Sequence, residues 1–243
     1  MFDREVFDIE RASLIGNLSE NSILQREALT FVNNSNLVKY AYVWNWMGLP
    51  VIQMPEDLIK VQEIIFETKP DVVIETGVAW GGSLAFYGSV LKSIGHGRVI
   101  GIDITIPEQN AKRILESNSG DLITLIEGSS IEEEVFTKVS ELIPENSKVL
   151  LVLDSHHTHE HVLKELQLWS KLVMKGSYIV VCDTIVEFIE SPSDRVRPWG
   201  KGNNPFTAVQ EFLTLSSRFS SENEYNSKSL TTFHPGGFLI ATN

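Results

Sequence analysis

The chain is poor in three things, and each shortage removes a class of explanation. It has one cysteine, Cys182, in 243 residues. Neither an intrachain disulfide nor a multi-cysteine zinc site can be built from it, and a reducing compartment is expected. It is short of positive charge: 20 Lys and Arg stand against 32 Asp and Glu, a net charge of −12. Such a surface offers no broad electrostatic grip on nucleic acid. It has no apolar run near the ~20 residues of a membrane-spanning helix. Its opening, MFDREVFDIERAS, has neither the basic segment nor the apolar core of a signal peptide. A cytoplasmic protein without repeats or low-complexity tracts is expected. Hydrophobic residues make up 42% of the chain, enough for one sizeable core in one α/β domain with a small extension.

Residues 1–50 are expected to form that extension: short helices, then YAYVWNWMGLP, where Tyr40, Tyr42, Trp44 and Trp46 alternate. This arm either packs on the main domain or faces substrate, and it makes a homo-oligomer plausible. From residue 51 to 243 the pattern is regular. Leu58, Val61 and Ile65 at helical spacing, with Pro55 and acidic residues ahead of them, predict a helix. DVVIETG, GRVIGIDI, LITLIEGSS, SKVLLVLD and GSYIVVCDT read as five strands, with a helix SLAFYGSVLKSIG after the first. Val162, Leu166, Trp169 and Val173 share one face of another helix. RFSSENEY and FHPGGFLIATN read as a terminal antiparallel pair. Strands alternating with helices predict a doubly wound, mostly parallel, Rossmann-like sheet.

In such sheets ligands sit beyond the carboxyl ends of the strands. Glu75, Asp103, Glu127, Asp154 and Asp183 each end or follow a strand, so five acidic residues are expected along one rim. ETGVAWGGS joins the first strand to its helix; Gly77, Gly81 and Gly82 permit positive φ and close approach of a ligand, and Ser83 opens the helix. The spacing is neither G-x-G-x-x-G nor a P-loop. Asp103 is placed to accept hydrogen bonds from ribose hydroxyls, or to act as a cap. Glu75 is placed to serve an amine, directly or through water. Ser129 and Ser130 are placed to border an adenine. Acidic ends on the first two strands, around a glycine loop without a phosphate motif, favour S-adenosylmethionine over NAD. An NAD-dependent oxidoreductase remains the enzymatic alternative, and a non-catalytic S-adenosylmethionine-binding protein the other.

Four of the six histidines, His156, His157, His159 and His161, crowd into LDSHHTHEHVLKEL. The spacing excludes H-E-x-x-H zinc proteases. No histidine of the cluster has an acidic residue two positions on, which argues against a 2-His-1-carboxylate iron site. Asp154 and Asp183, after neighbouring strands, suit a hard divalent cation such as Mg²⁺. His157, three residues after Asp154, is the candidate base, and His156 is the second choice. His159 and His161 fall inside the helix and read as supporting residues. The polar, Pro- and Gly-rich stretch EFIESPSDRVRPWGKGNNPFTAV, residues 187–209, is expected to arch over the same rim, with a lid loop at 185–207. Arg195, Arg197, Trp199 and Lys201 are its candidates to meet a sugar or attached phosphate.

These stretches, with MPEDLIKVQEII, NPFTAVQEFL and LTTFHPGGFL, occur in the order seen in the bacterial cephalosporin hydroxylase/rhamnosyl O-methyltransferase family. The chain resembles that family from about Pro50 to its end. The resemblance implies a class I methyltransferase fold and metal-assisted O-methylation of a hydroxyl on a sugar, glycolipid precursor or natural product. It also implies a base histidine at the D-x-x-H position, here Asp154 and His157. One departure stands out. Many relatives read Glu-Asp-Thr where this chain has Cys182, Asp183 and Thr184, so a third metal carboxylate is missing here.

Overall fold

The computed structural model describes residues 2–190 and 196–243. Two helices open the chain, α1 (Arg4–Glu20) and α2 (Ser22–Leu37), followed by a small hairpin of β1 (Asn45–Trp46) and β2 (Leu49–Pro50). Then come α3 (Pro55–Thr68), β3 (Val72–Thr76), α4 (Gly82–Ile94), β4 (Arg98–Asp103), α5 (Glu108–Leu115) and β5 (Ile123–Glu127). The second half runs α6 (Glu133–Glu141), β6 (Val149–Leu153), α7 (His159–Trp169), β7 (Tyr178–Val181), α8 (Pro205–Leu215), β8 (Phe219–Ser221), α9 (Asn223–Ser227) and β9 (Phe238–Ala241).

The strands assemble in the order β5-β4-β3-β6-β7-β9-β8. The first five are parallel, while β9 runs antiparallel to β7 and β8 antiparallel to β9. Every residue of β3 and of β6 is buried, as a strand covered on both faces requires. Their alternate side chains build two cores. Val72, Ile74 and Leu151 join Leu166, Trp169 and Phe212 of α7 and α8. Val73, Leu150 and Val152 join Ile64, Ile65 and Leu84 of α3 and α4. Period-two alternation in the strands and 3.6-residue periodicity in the helices thus meet face to face.

Strand order reverses between β3 and β6, since β4 lies on one side of β3 and β6 on the other. The crevice beyond their carboxyl ends is where such a sheet takes its ligand. All five parallel strands and the antiparallel pair fall where the periodicity predicts.

The N-terminal region differs from expectation. Instead of short helices it holds two of 17 and 16 residues, and α1 buries no side chain. The alternating aromatics form no long strand; Trp44 and Trp46 pack on the main domain, one of the two arrangements expected. Tyr40–Val43 is a single 3₁₀ turn. Trp46 stacks edge-on against Phe86 at 4.8 Å and donates from Nε1 to Ser89 Oγ at 3.1 Å. Val32 of α2 packs with Met54, Ile185 and Phe233, tying the extension to the sheet domain. The short helices α5 and α6 are additional to the expected elements; their sequences are mostly polar, and α5 buries Ile114 alone. A further short helix, α9, interrupts the polar loop between β8 and β9. Among the described residues no helix is long and apolar enough to cross a membrane.

Trp169 is fully buried and its Nε1 donates to the Ser130 carbonyl at 2.7 Å, linking α7 to the loop after β5. Replacing it by Ala is expected to cost about 3–5 kcal/mol, read as a lower urea midpoint at unchanged m-value.

Candidate active site

A cavity of about 720 Å³ opens at the carboxyl ends of β3 and β6. The glycine loop forms one wall, and its geometry is set by protein neighbours. Gly77 has φ +92°, and a Cβ there would lie 2.0 Å from the Asp154 carbonyl oxygen. A Cβ on Gly81 would meet Ile114 at 2.3 Å, and one on Gly82 the Pro50 carbonyl at 2.2 Å. The missing side chains therefore make room for the chain after β6, for α5 and for β2, and all three glycines line the cavity with Val78, Trp80 and Ser83. Asp103 holds that backbone, its Oδ2 accepting from the N–H groups of Val78 (2.8 Å) and Ala79 (3.1 Å). Ala79 sits at φ +44°, a region side-chain-bearing residues rarely adopt. Asp103 is thus a cap and also part of the cavity wall.

The five-carboxylate rim is smaller than expected. Asp103, Asp154 and Asp183 line the cavity, whereas Glu75 and Glu127 do not. Glu127 accepts from the Ile106 N–H at 2.8 Å. Glu75 is fully buried beneath the loop, accepting from Ser83 Oγ at 2.7 Å and Tyr87 Oη at 3.0 Å. It reaches the cavity only through Ser83. Burial pushes its pKa up to about 8; the bonds from Ser83 and Tyr87 counter this in part, and the Asp103 charge adds to it. Ser129 and Ser130 line the cavity as placed.

At the floor, Asp154, His157 and Asp183 bring one ligand atom each within 4.8 Å of the others. The parallel register of β3 with β6 sets the first: Thr76 pairs with Leu153, and the Asp154 N–H donates to Thr76 O at 2.9 Å. His157 Nε2 lies 3.3 Å from Asp183 Oδ2. Burial lowers the His157 pKa, and the carboxylates of Asp183 and Glu165 oppose it. Asp154 is pushed well above the carboxylate range by burial first, then by the charges of Asp183 and Glu75. Two hard carboxylates and an imidazole in mutual reach, one of them resisting ionisation for want of positive charge, fit a divalent cation. Cys182 is buried and absent from this cluster. Burial and the carboxylates of Asp154 and Asp183 push its thiol up, so it stays neutral.

The other histidines separate. His159 bonds to α8, with Nδ1 at 2.8 Å from Thr207 Oγ1 and Nε2 at 3.1 Å from Glu211. His161 lines the cavity, its Nε2 between Ser155 Oγ (3.1 Å) and Ser130 Oγ (3.2 Å). His156 and His157 both pack edge-on against Trp199, at 5.2 and 5.0 Å. Arg197 lies 4.9 Å over the Trp199 ring. Of the expected lid residues, Trp199 and Arg197 therefore border the cavity, Lys201 is exposed away from it, and Arg195 lies outside the described residues. Sequence reasoning missed Gln53, whose Nε2 reaches Asp154 Oδ2 at 3.4 Å, and Tyr87. Nothing in the local pattern marks either. Tyr42, from the aromatic stretch, also faces the cavity.

The family model described as Rhamnosyl O-methyltransferase/CmcI matches residues 38–242. The chain belongs to this family. The Mycobacterium leprae rhamnosyl O-methyltransferase is 30% identical over 209 residues, covering 82% of this chain and 85% of the relative. That of Mycobacterium tuberculosis is 28% identical over 204 residues, covering 82% and 79%. A CmcI structure described as Mg-SAM superposes with TM-score 0.58 at 22% identity, covering 83% of this chain and 78% of that one. A Bacillus cereus O-methyltransferase structure with SAH gives 0.51 at 16% identity, covering 86% and 88%. The fold is that of class I methyltransferases, and family membership makes the chain an S-adenosylmethionine-dependent O-methyltransferase.

Glu75 supplies a test of the buried charge. Its folded pKa of about 8 exceeds the ordinary 4.5, so the native state binds the extra proton between those values. The resulting stabilisation is complete below pH 4.5 and is lost as pH rises through 8, at about 1.4 kcal/mol per pH unit. Glu75→Gln is expected to flatten the fall in Tm between pH 5 and 8, and to be the more stable protein at the upper end. Parallel Tm–pH curves for the two proteins would contradict a buried neutral Glu75.

Proposed function

We propose that the enzyme methylates a hydroxyl of a sugar or sugar-bearing natural product, with Asp154 and Asp183 holding a divalent cation and His157 acting as base. The observation that carries this reading is the Asp154–His157–Asp183 cluster at the floor of the cavity, beside the glycine loop. Support for the acceptor comes from the rhamnosyl specificity in the names of the mycobacterial relatives. Support for the cation and cofactor comes from the Mg-SAM form of CmcI.

S-adenosylmethionine supplies an electrophilic methyl on sulfur. A cation such as Mg²⁺ between Asp154 and Asp183 would supply Lewis-acid polarisation of the acceptor hydroxyl. The first turn of α4, at Gly82 and Ser83, offers its N–H groups to the amino-acid end of the cofactor, while Gly77 and Gly81, whose N–H groups donate to Ile102 O and Val78 O, shape the loop beside it. Glu75 acts behind Ser83 by fixing that hydroxyl. Asp103 presents its remaining oxygen to the ribose, and Ser129 borders the adenine. His157 takes the hydroxyl proton at Nε2, and the resulting imidazolium lies 3.3 Å from the Asp183 carboxylate that steadies it. Its lowered pKa keeps it neutral and ready to accept. The acceptor oxygen then forms its bond to carbon as the carbon–sulfur bond breaks, and the enzyme's task is to hold these atoms in line. Trp199 and Arg197, from the 185–207 lid, lie beside His157 and present an aromatic and a cationic group to the acceptor. Residues 1–50 form the extension that closes one side of the cavity through Tyr42, and 51–243 the methyltransferase domain. A cytoplasmic setting suits the lone thiol.

Calorimetric titration separates the cofactor from the chemistry. S-adenosylmethionine is expected to bind and NAD not to; binding of NAD alone would overturn the reading. His157→Ala is expected to lower kcat on a rhamnosyl acceptor about 10²- to 10⁴-fold with cofactor affinity within about twofold. Full turnover by that variant would remove His157 from the role of base.

A further inference from the structure

Next to Asp183 lies a group of buried polar residues for which the methyl transfer has no use. Asp57 and Lys60 come from α3; Ser229, Thr232 and His234 come from the segment before β9. None is more than 8% exposed. Lys60 Nζ donates to Ser229 Oγ (2.9 Å) and Thr232 Oγ1 (3.0 Å) and pairs with Asp57 Oδ1 at 2.9 Å. Asp57 in turn accepts from Thr232 Oγ1 (2.5 Å) and the Phe233 N–H (2.8 Å). The backbone around His234 is therefore fixed from α3.

His234 Nδ1 accepts the main-chain N–H of Asp183 at 3.1 Å. An amide can only donate, so Nδ1 carries no proton and the neutral ring holds its hydrogen on Nε2. That nitrogen lies 3.8 Å from Asp57 Oδ2, beyond hydrogen-bond reach, and the tie to the network is the His234 N–H, which donates to Thr232 Oγ1 at 2.9 Å. Asp183 itself has φ +55°, in the left-handed region that residues with a Cβ seldom occupy. Its neighbours are held by main-chain carbonyls: the Cys182 N–H by Leu153 and the Ile185 N–H by Phe233. Only at the strained residue does a side chain supply the acceptor. A buried ion pair is by itself weak support for stability, and strained residues persist where surrounding structure over-determines them at functional sites.

We infer that His234, fixed by the Asp57–Lys60–Thr232 network, is a positioning residue that holds Asp183 in its left-handed conformation and so aims its carboxylate at His157 and Asp154. The inference rests on the reading of Asp183 as a cation-holding carboxylate. His234 touches neither cation nor substrate and acts through the Asp183 backbone alone.

The test is Mn²⁺ affinity by electron paramagnetic resonance on the full chain, with S-adenosylhomocysteine affinity measured alongside. His234→Leu, which leaves the Asp183 N–H without its acceptor, is expected to weaken Mn²⁺ about 10- to 100-fold and the nucleoside product less than about twofold. His234→Asn, whose amide oxygen falls near the Nδ1 position, is expected to restore Mn²⁺ binding. Wild-type Mn²⁺ affinity in His234→Leu, with loss in Asp183→Asn, would overturn the positioning role and leave the metal reading standing. Wild-type affinity in Asp183→Asn would overturn both. Equal loss of Mn²⁺ and nucleoside in both His234 variants would reduce His234 to general scaffolding. Should the Leu variant not fold, His234→Gln replaces it, since Gln carries its amide beyond the Nδ1 position. It must bind Mn²⁺ more weakly than His234→Asn, and equal binding would sink the inference.

Discussion

The close approach of β3 and β6 at their carboxyl ends is the constraint on which the site depends. Gly77 leaves β3 so near the Asp154 carbonyl that no side chain fits between them. This contact lies where strand order reverses, so it sets the distance between the glycine-loop wall and the Asp154–His157–Asp183 cluster. In methyl transfer that distance is the catalytic variable, because oxygen, carbon and sulfur must line up. The glycine loop is consequently a spacer between protein elements before it is a cradle. Asp103 completes it by binding two loop N–H groups.

Negative charge is concentrated around that contact and handled in two ways. Glu75, sealed beneath the loop and met by two hydroxyls, escapes the cost of a buried charge by taking up a proton. Asp154 and Asp183 stay open to the cavity, where a cation can meet their demand. Cys182, buried next to Asp183 in the chain, adds no charge around them. A neutral thiol among carboxylates also spares the sheet one more buried charge.

The C-terminal segment reaches back to the same place. Residues 233–237 run beside 181–185 through main-chain bonds, including Val181 N–H to Gly237 O at 2.8 Å and Ile185 N–H to Phe233 O at 3.1 Å. The turn at 200–204 is anchored separately: the Gly202 N–H and Asn204 Nδ2 both donate to Glu187, and the His159 N–H donates to Asn203. His159 thus ties α7 to this turn through its N–H and to α8 through its ring. Trp199, just before that turn, covers two histidines at once.

The parallel sheet, the helices against it and the position of the cavity were legible in the sequence, because burial on both faces imposes uninterrupted apolar runs. Val149 to Leu153 and Val72 to Ile74 need no tertiary information to be read as strands. Asp154, Asp183 and His157 were legible too, since the ends of parallel strands face one crevice whatever the details of packing. Which carboxylates face that crevice was decided by side-chain direction: Glu75 points under the loop to Tyr87, twelve residues on, and Glu127 turns to the backbone at Ile106. Gln53 reaches the site from a segment with no periodic signal, while for Tyr42 and Trp199 the residue was marked by its aromatic run or polar stretch but its contact was not. His234 lies 51 residues from the amide it holds, and no local pattern connects them. The sequence by itself determined the sheet and the chemistry at its strand ends, through periodicity and residue type. Only the tertiary structure decided which groups are paired, sealed or strained there, because those outcomes depend on contacts between segments far apart in the chain.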